Sequence, residues 1–380
     1  MFVRSKTDSR VVVIVDVTHL FYKMAYGGMP RLTSTLRIDG VLQEVETGLP
    51  SGVIKNLHRW SNCGINPLVV CFDSAGCSRS RKAYFASKLG IKTGGEAVGY
   101  KSTRDTGNTR LYEGINLTMR LLQNGGVTCL KSDMYEADDL VKAAVDKAKE
   151  TYPDLPIHVV TGDADLVPLV DEQVSVFLTS KVTSKAEEPQ WLKNGYVQIT
   201  PENYQAEMER RSAYKNLKVP YNTLLLAKCL RGDKSDDIAG YPKFTPTKYK
   251  ALLEQLESDG YDLATLCKYD APVCTICYKD TEKPIPTELI DSVPRENKIM
   301  VFSEPKTCTR LCKILSNYLD EDIVAHVRFI YNGINLNGAF TNLPVQFMRK
   351  PANMCVPVQG YNAAKLQQAV SVVQIHLPMV

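Results

Sequence analysis

The sequence has little of what marks a membrane or secreted protein. No apolar run approaches the roughly 18 residues that a membrane-spanning helix needs. The amino terminus, MFVRSKTDSRVVVIVDV, lacks the signal-peptide order of basic, apolar and small residues. The 11 cysteines are scattered, without the dense spacing of a small disulfide scaffold. We therefore expect a soluble cytoplasmic protein with reduced thiols, in the host cytoplasm if a phage encodes it.

Zinc-binding motifs are also nearly absent. Cys274 and Cys277 form the only close Cys-x-x-Cys pair, whereas Cys308 and Cys312 are separated by three residues rather than two. A zinc ribbon requires two such pairs, so these cysteines are interpreted as core residues.

The net charge of +4 is too small to identify a partner, but basic residues are concentrated in one segment. Residues 79 to 110 hold eight basic residues against two acidic ones, a surplus of six that exceeds that of the whole chain. Charge is therefore segregated along the chain. The basic residues of this segment are Arg79, Arg81, Lys82, Lys88, Lys92, Lys101, Arg104 and Arg110.

Four short apolar, β-branched runs predict strands that are buried on both faces: RVVVIVDV, LVVCFD, IHVVTGD and VSVFLTS. The segments SGVIKNLHRWSNC, LYEGINLTMRLLQNG and ADDLVKAAVDKAKETY have helical patterns and lie between the first three runs. This alternation predicts an α/β fold with a mostly parallel sheet flanked by helices. Further helices are expected in YNTLLLAKCL and KFTPTKYKALLEQLE, and mostly helix beyond residue 260, where HVRFIYNGINL fits either helix or strand.

Acidic residues follow the predicted strands. Because the carboxyl ends of parallel strands share one edge of a sheet, Asp16, Asp73, Asp163 and Asp165 should converge there, beside the helix that Glu136 leads. Carboxylates crowded in a cleft repel one another unless cations lie among them. Oxygen ligands without histidine or cysteine favour Mg²⁺ or Mn²⁺, and two such ions about 4 Å apart can promote phosphodiester hydrolysis.

Each acidic motif alone has a simpler interpretation. Acids at the start of a helix are favoured by its dipole, so YEADDLV can be capping. GDAD can be a plain turn, and Asp16 a single hydrogen-bonded buried carboxylate. Their joint occurrence at strand ends and helix starts is what favours a metal site.

The ordered motifs VVIVDVTHLFYK, VVCFD, YKSTR, YEADDLV, VTGDADLVPLV and RGDKSDDIAGYP resemble the phage and bacterial 5′-nuclease family of flap endonucleases and 5′-3′ exonucleases, over residues 11 to about 258. The resemblance implies a PIN-like core, a helical arch and a helix-three-turn-helix DNA-binding module. It implies a first metal cluster of Asp73, Glu136, Asp138 and Asp139 with Asp16 beside it, and a second of Asp163, Asp165, Asp233 and Asp236.

The resemblance also implies roles for basic residues. Tyr100, Lys101 and Arg104 match the arch motif that acts near the scissile phosphate, where cations neutralise developing charge and a tyrosine ring can stack on an unpaired base. An ordinary solvated basic loop is the alternative. The residues expected to contact DNA phosphates are Arg79, Arg81, Lys82, Lys243, Lys248 and Lys250.

One motif departs from the family pattern. Asp237 stands where the family has asparagine, Ala239 stands where it has proline, and the later glycines are missing. In the family this turn holds K⁺ and the DNA backbone, so K⁺ at the helix-three-turn-helix is expected only if the altered turn keeps that role.

The expected organisation is a nuclease core over 1–230 with its arch near 79–110, a helix-three-turn-helix and helical region over 231–320, and an extension of unknown role over 321–380. The expected activity is structure-specific, two-metal 5′-nuclease cleavage in DNA replication or repair, including RNA primer removal. The alternatives are an RNase acting on RNA or RNA/DNA hybrids, and a non-catalytic DNA-binding protein. The expected partners of this monomer are DNA with 5′ ends, flaps or RNA primers, and replication proteins such as a single-strand binding protein.

Overall fold

We analysed a computed structural model of the 380-residue chain. The residues that it describes are 11–27, 31–38, 40–62, 68–74, 76–78, 81–82, 84–85, 100–101, 109–132, 135–179, 196–211, 219–221, 223–270, 273–335, 343–344 and 363–371. The predicted arch near 79–110 lies largely outside these ranges, as do Arg79 and Arg104.

A six-stranded sheet forms the centre of the fold, in the order β5-β4-β1-β6-β7-β8. All neighbouring pairs are parallel except β7 with β8, which are antiparallel. This confirms the predicted mostly parallel sheet. The strands are β1 (Val12–Asp16), β4 (Leu68–Phe72), β5 (Thr128–Lys131), β6 (Ile157–Thr161), β7 (Val174–Thr179) and β8 (Tyr196–Ile199).

Helices cover both faces of this sheet, which explains the unbroken apolar runs. Along β1, Val12 and Ile14 pack into one apolar cluster, and Val13 and Val15 pack into another on the opposite face. All four side chains are fully buried. The flanking helices are α1 (Thr18–Tyr26), α2 (Gly48–Asn62), α3 (Thr109–Asn124) and α4 (Ala137–Thr151), so the three helices predicted between strands are confirmed.

Two parts of the chain differ from expectation. A hairpin of β2 (Thr33–Ile38) and β3 (Val41–Glu46) stands outside the main sheet and was not predicted. Beyond residue 260 the described residues form more helix than strand, as expected, but β11 (Val273–Tyr278), β12 (Lys298–Ser303) and β13 (Leu343–Pro344) form an antiparallel sheet that was not predicted. Short strands joined by irregular loops carry a weak periodic signal, which hid them.

The ambiguous segment HVRFIYNGINL lies mainly in a helix, α10 (Glu321–Ile334). The other helices of this half are α5 (Tyr204–Glu209), α6 (Leu224–Arg231), α7 (Pro246–Ser258), α8 (Leu263–Leu266), α9 (Lys306–Leu315) and α11 (Ala363–Ser371). Helix α10 packs on α6, and one apolar cluster runs from Val12 to Ile334. None of the helices in the described ranges has the length and apolar character that crossing a bilayer requires.

A tight turn follows α6 and contains β9 (Gly232–Asp233), a 3₁₀ turn (Lys234–Asp236) and β10 (Ile238–Ala239). Gly232 has φ 75° and ψ 179°, a region that is essentially restricted to glycine. A Cβ atom on Gly232 would lie 2.3 Å from the backbone nitrogen of Gly240. Glycine is therefore required here both by conformation and by close backbone approach.

We predict that Gly232→Ala lowers the free energy of unfolding by more than about 3 kcal/mol, since strain and a backbone clash add. Gly260→Ala is the matched control, because Gly260 also has a positive φ, +81°, but no atom within 4 Å of its missing Cβ. That variant should lose only about 1 kcal/mol. Urea denaturation measures the stability of both variants. Equal losses of stability would contradict the role of the backbone clash at Gly232.

Candidate metal centre

Four strand and helix ends bring acidic residues to one edge of the sheet. Asp16 ends β1, Asp73 follows β4 and Asp163 follows β6, and these three strands are parallel neighbours. The backbone N–H of Ala137, the first residue of α4, donates to Asp73 Oδ1 at 2.7 Å. The start of α4 is thereby fixed beside the strand ends, as predicted.

The carboxylates of Asp16 and Asp73 are held by neutral donors. Asp16 accepts from the Thr18 backbone N–H at 3.0 Å and from the Thr161 hydroxyl at 2.9 Å. Burial, with a smaller contribution from the negative charge of Asp73, raises the pKa of Asp16 to about 7. Burial and then the charges of Glu136 and Asp138 raise the pKa of Asp73 to about 6. Ionising these groups at neutral pH therefore requires a cation nearby.

Glu136, Asp138 and Asp139 form the first acidic group, with one oxygen of each within 4.8 Å of the others. Glu136 is also the N-cap of α4: its side chain accepts from the Asp139 backbone, and its own N–H donates to Asp139 Oδ2 at 3.1 Å. The helix-capping interpretation and the metal-site interpretation of this motif are therefore compatible, because the capping geometry brings the carboxylates together.

Arg81 lies inside this group, which corrects its predicted role in contacting DNA phosphates. Its guanidinium pairs with Glu136, lies 2.6 Å from Asp139 and 3.9 Å from Asp138, and its side chain is only 3% exposed. A phosphate cannot reach it without displacing these acids. Burial disfavours the ionised form of Glu136. The positive charges of Arg81 and Lys101 outweigh this effect and lower the pKa of Glu136 to about 2.

Tyr100 and Lys101 also face the first acidic group. The Tyr100 hydroxyl donates to Glu136 Oε2 at 2.6 Å, and Lys101 Nζ pairs with the other oxygen. The Tyr100 ring is 5% exposed and stacks on Phe85 with centroids 5.3 Å apart. The expectation that this ring offers a face to an unpaired base is therefore wrong in this structure. Lys101 keeps the expected place beside the acids.

Asp165, Asp233 and Asp236 form the second acidic group, again with oxygens within 4.8 Å. Lys228 lies among them, pairing with Asp165 and, at 2.6 Å, with Asp233. The sequence analysis missed Lys228, although a lysine inside the apolar helix LLLAKCL, five residues before Asp233, is a usable signal. A buried ammonium is tolerated only where carboxylates meet it.

Asp163 sits between the two groups. Its Oδ1 accepts from the Asp165 backbone N–H at 2.9 Å. Burial raises its pKa well above the ordinary value, and the charges of Asp165 and Asp138 raise it further. Repulsion therefore extends from the first acidic group to the second, which makes them parts of one centre.

The side chains fit a hard divalent cation. Among the residues that the structure describes, Asp16, Asp73 and Asp163 form no ion pair, and Asp138 meets Arg81 only at 3.9 Å. Four carboxylates thus converge with little internal compensation. Oxygen donors of this kind are preferred by Mg²⁺ and Mn²⁺.

The remaining predicted DNA contacts that the structure describes are exposed lysines. Lys82 is exposed. Lys243 and Lys248 line a cavity of about 290 Å³ beside the turn after α6. Lys250 is exposed and lies 3.7 Å from Glu254. These four lysines therefore remain predicted phosphate contacts.

Comparison with known proteins places this geometry in a family. Residues 11–198 match the model of the 5′-3′ exonuclease N-terminal, resolvase-like domain. The chain belongs to the 5′-nuclease family. The matched segment contains Asp16, Asp73, Asp138 and Asp163, the four least compensated carboxylates.

Individual 5′-nuclease relatives are distant. DNA polymerase I of Caldicellulosiruptor bescii is 25% identical over 247 residues, which cover 65% of this chain and 24% of that protein. The 5′-3′ exonuclease of Buchnera aphidicola is 24% identical over 239 residues, 62% of this chain and 67% of the relative. The chain thus spans about a quarter of the polymerase relative. The T5 D15 protein co-crystallised with metal ions aligns over 96% of this chain and 99% of its own, at 12% identity and a TM-score of 0.48.

We predict that Asp16→Asn stabilises the metal-free protein at pH 8 by up to about 4 kcal/mol. A raised pKa means that the folded state holds the proton more tightly, so the favourable contribution of Asp16 is full below its ordinary pKa of 3.8 and is lost as pH rises through about 7. The stability advantage of Asp16→Asn over the parent protein should therefore become smaller as the pH is lowered toward 4. Urea denaturation across this pH range, with exposed Asp280→Asn as control, tests it; a pH-independent difference would refute the assignment.

We further predict that Lys228→Met destabilises the metal-free protein by about 3–5 kcal/mol, since two buried carboxylates lose their ammonium partner. Mg²⁺ should then raise the Tm of the variant more than that of the parent protein. Lys147→Met is the control, because Lys147 pairs with Glu150 at 3.0 Å on the surface and should cost at most about 1 kcal/mol. An equal Mg²⁺ response in all three proteins would show that Lys228 does not compensate the second acidic group.

Proposed function

We propose that this protein is a metal-dependent 5′ nuclease, a flap endonuclease or 5′-3′ exonuclease that hydrolyses phosphodiesters. The observation that carries the proposal is the convergence of Asp16, Asp73, Asp138 and Asp163 at one sheet edge, where the carboxylates repel one another. Burial of like charges is costly, so a fold that gathers them has a use for cations. The family domain over 11–198 supports the same conclusion.

The proposed cofactor is Mg²⁺ or Mn²⁺, two ions in all. The first would be held by Asp16, Asp73 and the first acidic group, and the second by Asp163 and the second acidic group. When bound, such ions supply the positive charge that draws a phosphodiester to the carboxylates and eases attack by water. Lys101 would bind a non-bridging phosphate oxygen, because its ammonium is next to Glu136 and can exchange one anion for another.

The proposed substrate is DNA with a free 5′ end or flap, including 5′ ends that carry RNA primers. Hydrolysis adds water across a P–O bond and leaves a 5′ phosphate on one product. Exposed aromatic rings near the centre suit unpaired bases: Tyr22 and Tyr26 on α1 are 41% and 73% exposed, and their rings are stacked 5.9 Å apart. Lys243 and Lys248 would bind the duplex phosphates.

Several finer expectations remain part of the proposal. They are K⁺ at the helix-three-turn-helix, a monomer, contact with replication proteins such as a single-strand binding protein, and action in the cytoplasm. The division into segments 1–230, 231–320 and 321–380 is likewise kept as a prediction.

We predict that Asp138→Asn lowers kcat on a 5′-flap DNA duplex by more than about 100-fold, because the variant removes a carboxylate that faces both acidic groups. The matched control is Asp146→Asn on the same helix, whose carboxylate is partly exposed and pairs with Lys142 rather than with either acidic group. The control should cut at the parent rate. Chelation by EDTA should stop cleavage, and Mg²⁺ or Mn²⁺ should restore it.

The same assay separates the alternatives. A labelled 5′ strand is offered as DNA and as RNA in otherwise identical duplexes. Faster cutting of the RNA strand would favour an RNase, and duplex binding without cleavage in any divalent metal would favour a non-catalytic DNA-binding protein. Either outcome overturns the proposed substrate or activity.

A further inference from the structure

Helix α10 contacts two aromatic residues of the basic segment, Tyr84 and Phe85. The Tyr84 hydroxyl donates to the backbone carbonyl of Phe329 at 3.1 Å, and the two rings stack with centroids 5.4 Å apart at 22°. Phe85 meets Phe329 edge-on, with centroids 5.4 Å apart at 79°. All three rings are buried. An amino-acid stretch without a recognisable motif thus packs directly on the base of the predicted arch.

Gly333 makes room for Phe85 on this helix. A Cβ atom at position 333 would lie 2.3 Å from the outermost carbon of the Phe85 ring and under 3.0 Å from two others. The φ of Gly333 is not in the left-handed region, so the backbone does not require glycine. The absence of a side chain therefore serves the close approach of Phe85 alone.

Phe85 also packs against Tyr100. Their rings stack at 14°, and the Tyr100 hydroxyl donates to Glu136 Oε2 at 2.6 Å. The next residue, Lys101, has a positive φ of 49° and donates its backbone N–H to the Asp236 carbonyl at 2.9 Å. A continuous series of contacts therefore leads from Gly333 through Phe85 and Tyr100 to the first acidic group.

We propose that helix α10, through the notch at Gly333, positions Phe85 and thereby holds Tyr100 and Lys101 against Glu136 in the orientation needed for cleavage. Phe85 and Gly333 are positioning residues, because neither touches the acidic groups. The part that concerns cleavage rests on the proposed function; the part that concerns placement of Tyr100 and Lys101 does not. Residues 321–334 thereby gain a role in the metal centre.

The geometry explains why such a support is needed. Lys101 is in a backbone conformation that a lysine rarely adopts, so surrounding contacts must hold it there. Its ammonium and the Tyr100 hydroxyl approach the same carboxylate from adjacent positions. A misplacement of about 1 Å at a catalytic group can cost about 100-fold in rate. Packing of Phe85 against α10 and against Tyr100 restricts such movement.

The test uses the full chain with Gly333→Ala and follows two quantities. Hydrogen exchange read by mass spectrometry reports the Lys101 amide, which is bonded to the Asp236 carbonyl, whether or not the protein cuts DNA. Steady-state cleavage of a 5′-flap duplex reports kcat and KM. Gly114→Ala in α3 is the matched control, since a Cβ atom at that position would lie 3.4 Å or more from its neighbours, an ordinary van der Waals contact.

We expect faster hydrogen exchange at the Lys101 amide in Gly333→Ala. We also expect kcat to fall by about 10- to 100-fold, because misplaced groups at the site lose rate, while KM stays within about twofold of the parent value. The double variant Gly333→Ala with Phe85→Leu should recover part of both, because the smaller side chain leaves room for the new methyl group. Phe85→Leu alone, which creates no clash, should show the same direction of change if Gly333→Ala does not fold.

Unchanged exchange at Lys101 in both single variants would overturn the proposed positioning. Altered exchange with unchanged kcat would overturn its importance for cleavage, and a uniform rise in exchange over the whole chain would show that Gly333 serves only general stability. If the parent protein cuts no substrate, the proposed function fails, and the exchange data still decide whether α10 positions Lys101.

Discussion

Mutual repulsion between crowded carboxylates is the constraint on which the rest of this structure depends. Parallel strands deliver Asp16, Asp73 and Asp163 to one edge, and a capped helix start adds Glu136 and Asp138. Such a set is unfavourable without positive charge. The chain provides part of that charge through Arg81 and Lys101, which pair with the first acidic group, and through Lys228, which pairs with the second. The central carboxylates remain available to divalent ions.

These three cations divide the work of the site. Arg81 links its own segment to the start of α4, and Lys228 links the strand end at Asp165 to the turn at Asp233. Both are buried and compensate the acidic groups from within the fold. Lys101 is more exposed and pairs with Glu136. Under the proposed function, structural compensation and substrate binding would be carried out by different residues, although both use positive charge.

The site depends on more of the chain than the family domain. Asp233, Asp236 and Lys228 follow residue 198, and the Tyr269 hydroxyl donates to the backbone carbonyl of Asp165 at 3.0 Å. Helix α10 packs on α6, which carries Lys228, and on Phe85. The carboxyl-terminal half thus contributes side chains to the centre and packs on the elements that carry them. This arrangement gives a physical reason for residues 259–334, in which the sequence shows no motif.

The sequence by itself determined the sheet, its flanking helices and the acidic residues, because buried parallel strands produce unbroken apolar runs and their ends are marked by aspartates. It also singled out Lys101, which the structure places beside Glu136 and whose role in cleavage stays a prediction. It could not place Arg81 or Tyr100 correctly, because a basic, aromatic-containing segment has the same composition whether its side chains face DNA or an internal carboxylate. It missed Lys228 and the notch at Gly333 for a related reason. Which buried charge meets which, and which glycine admits which ring, are long-range pairings that only the tertiary structure decides.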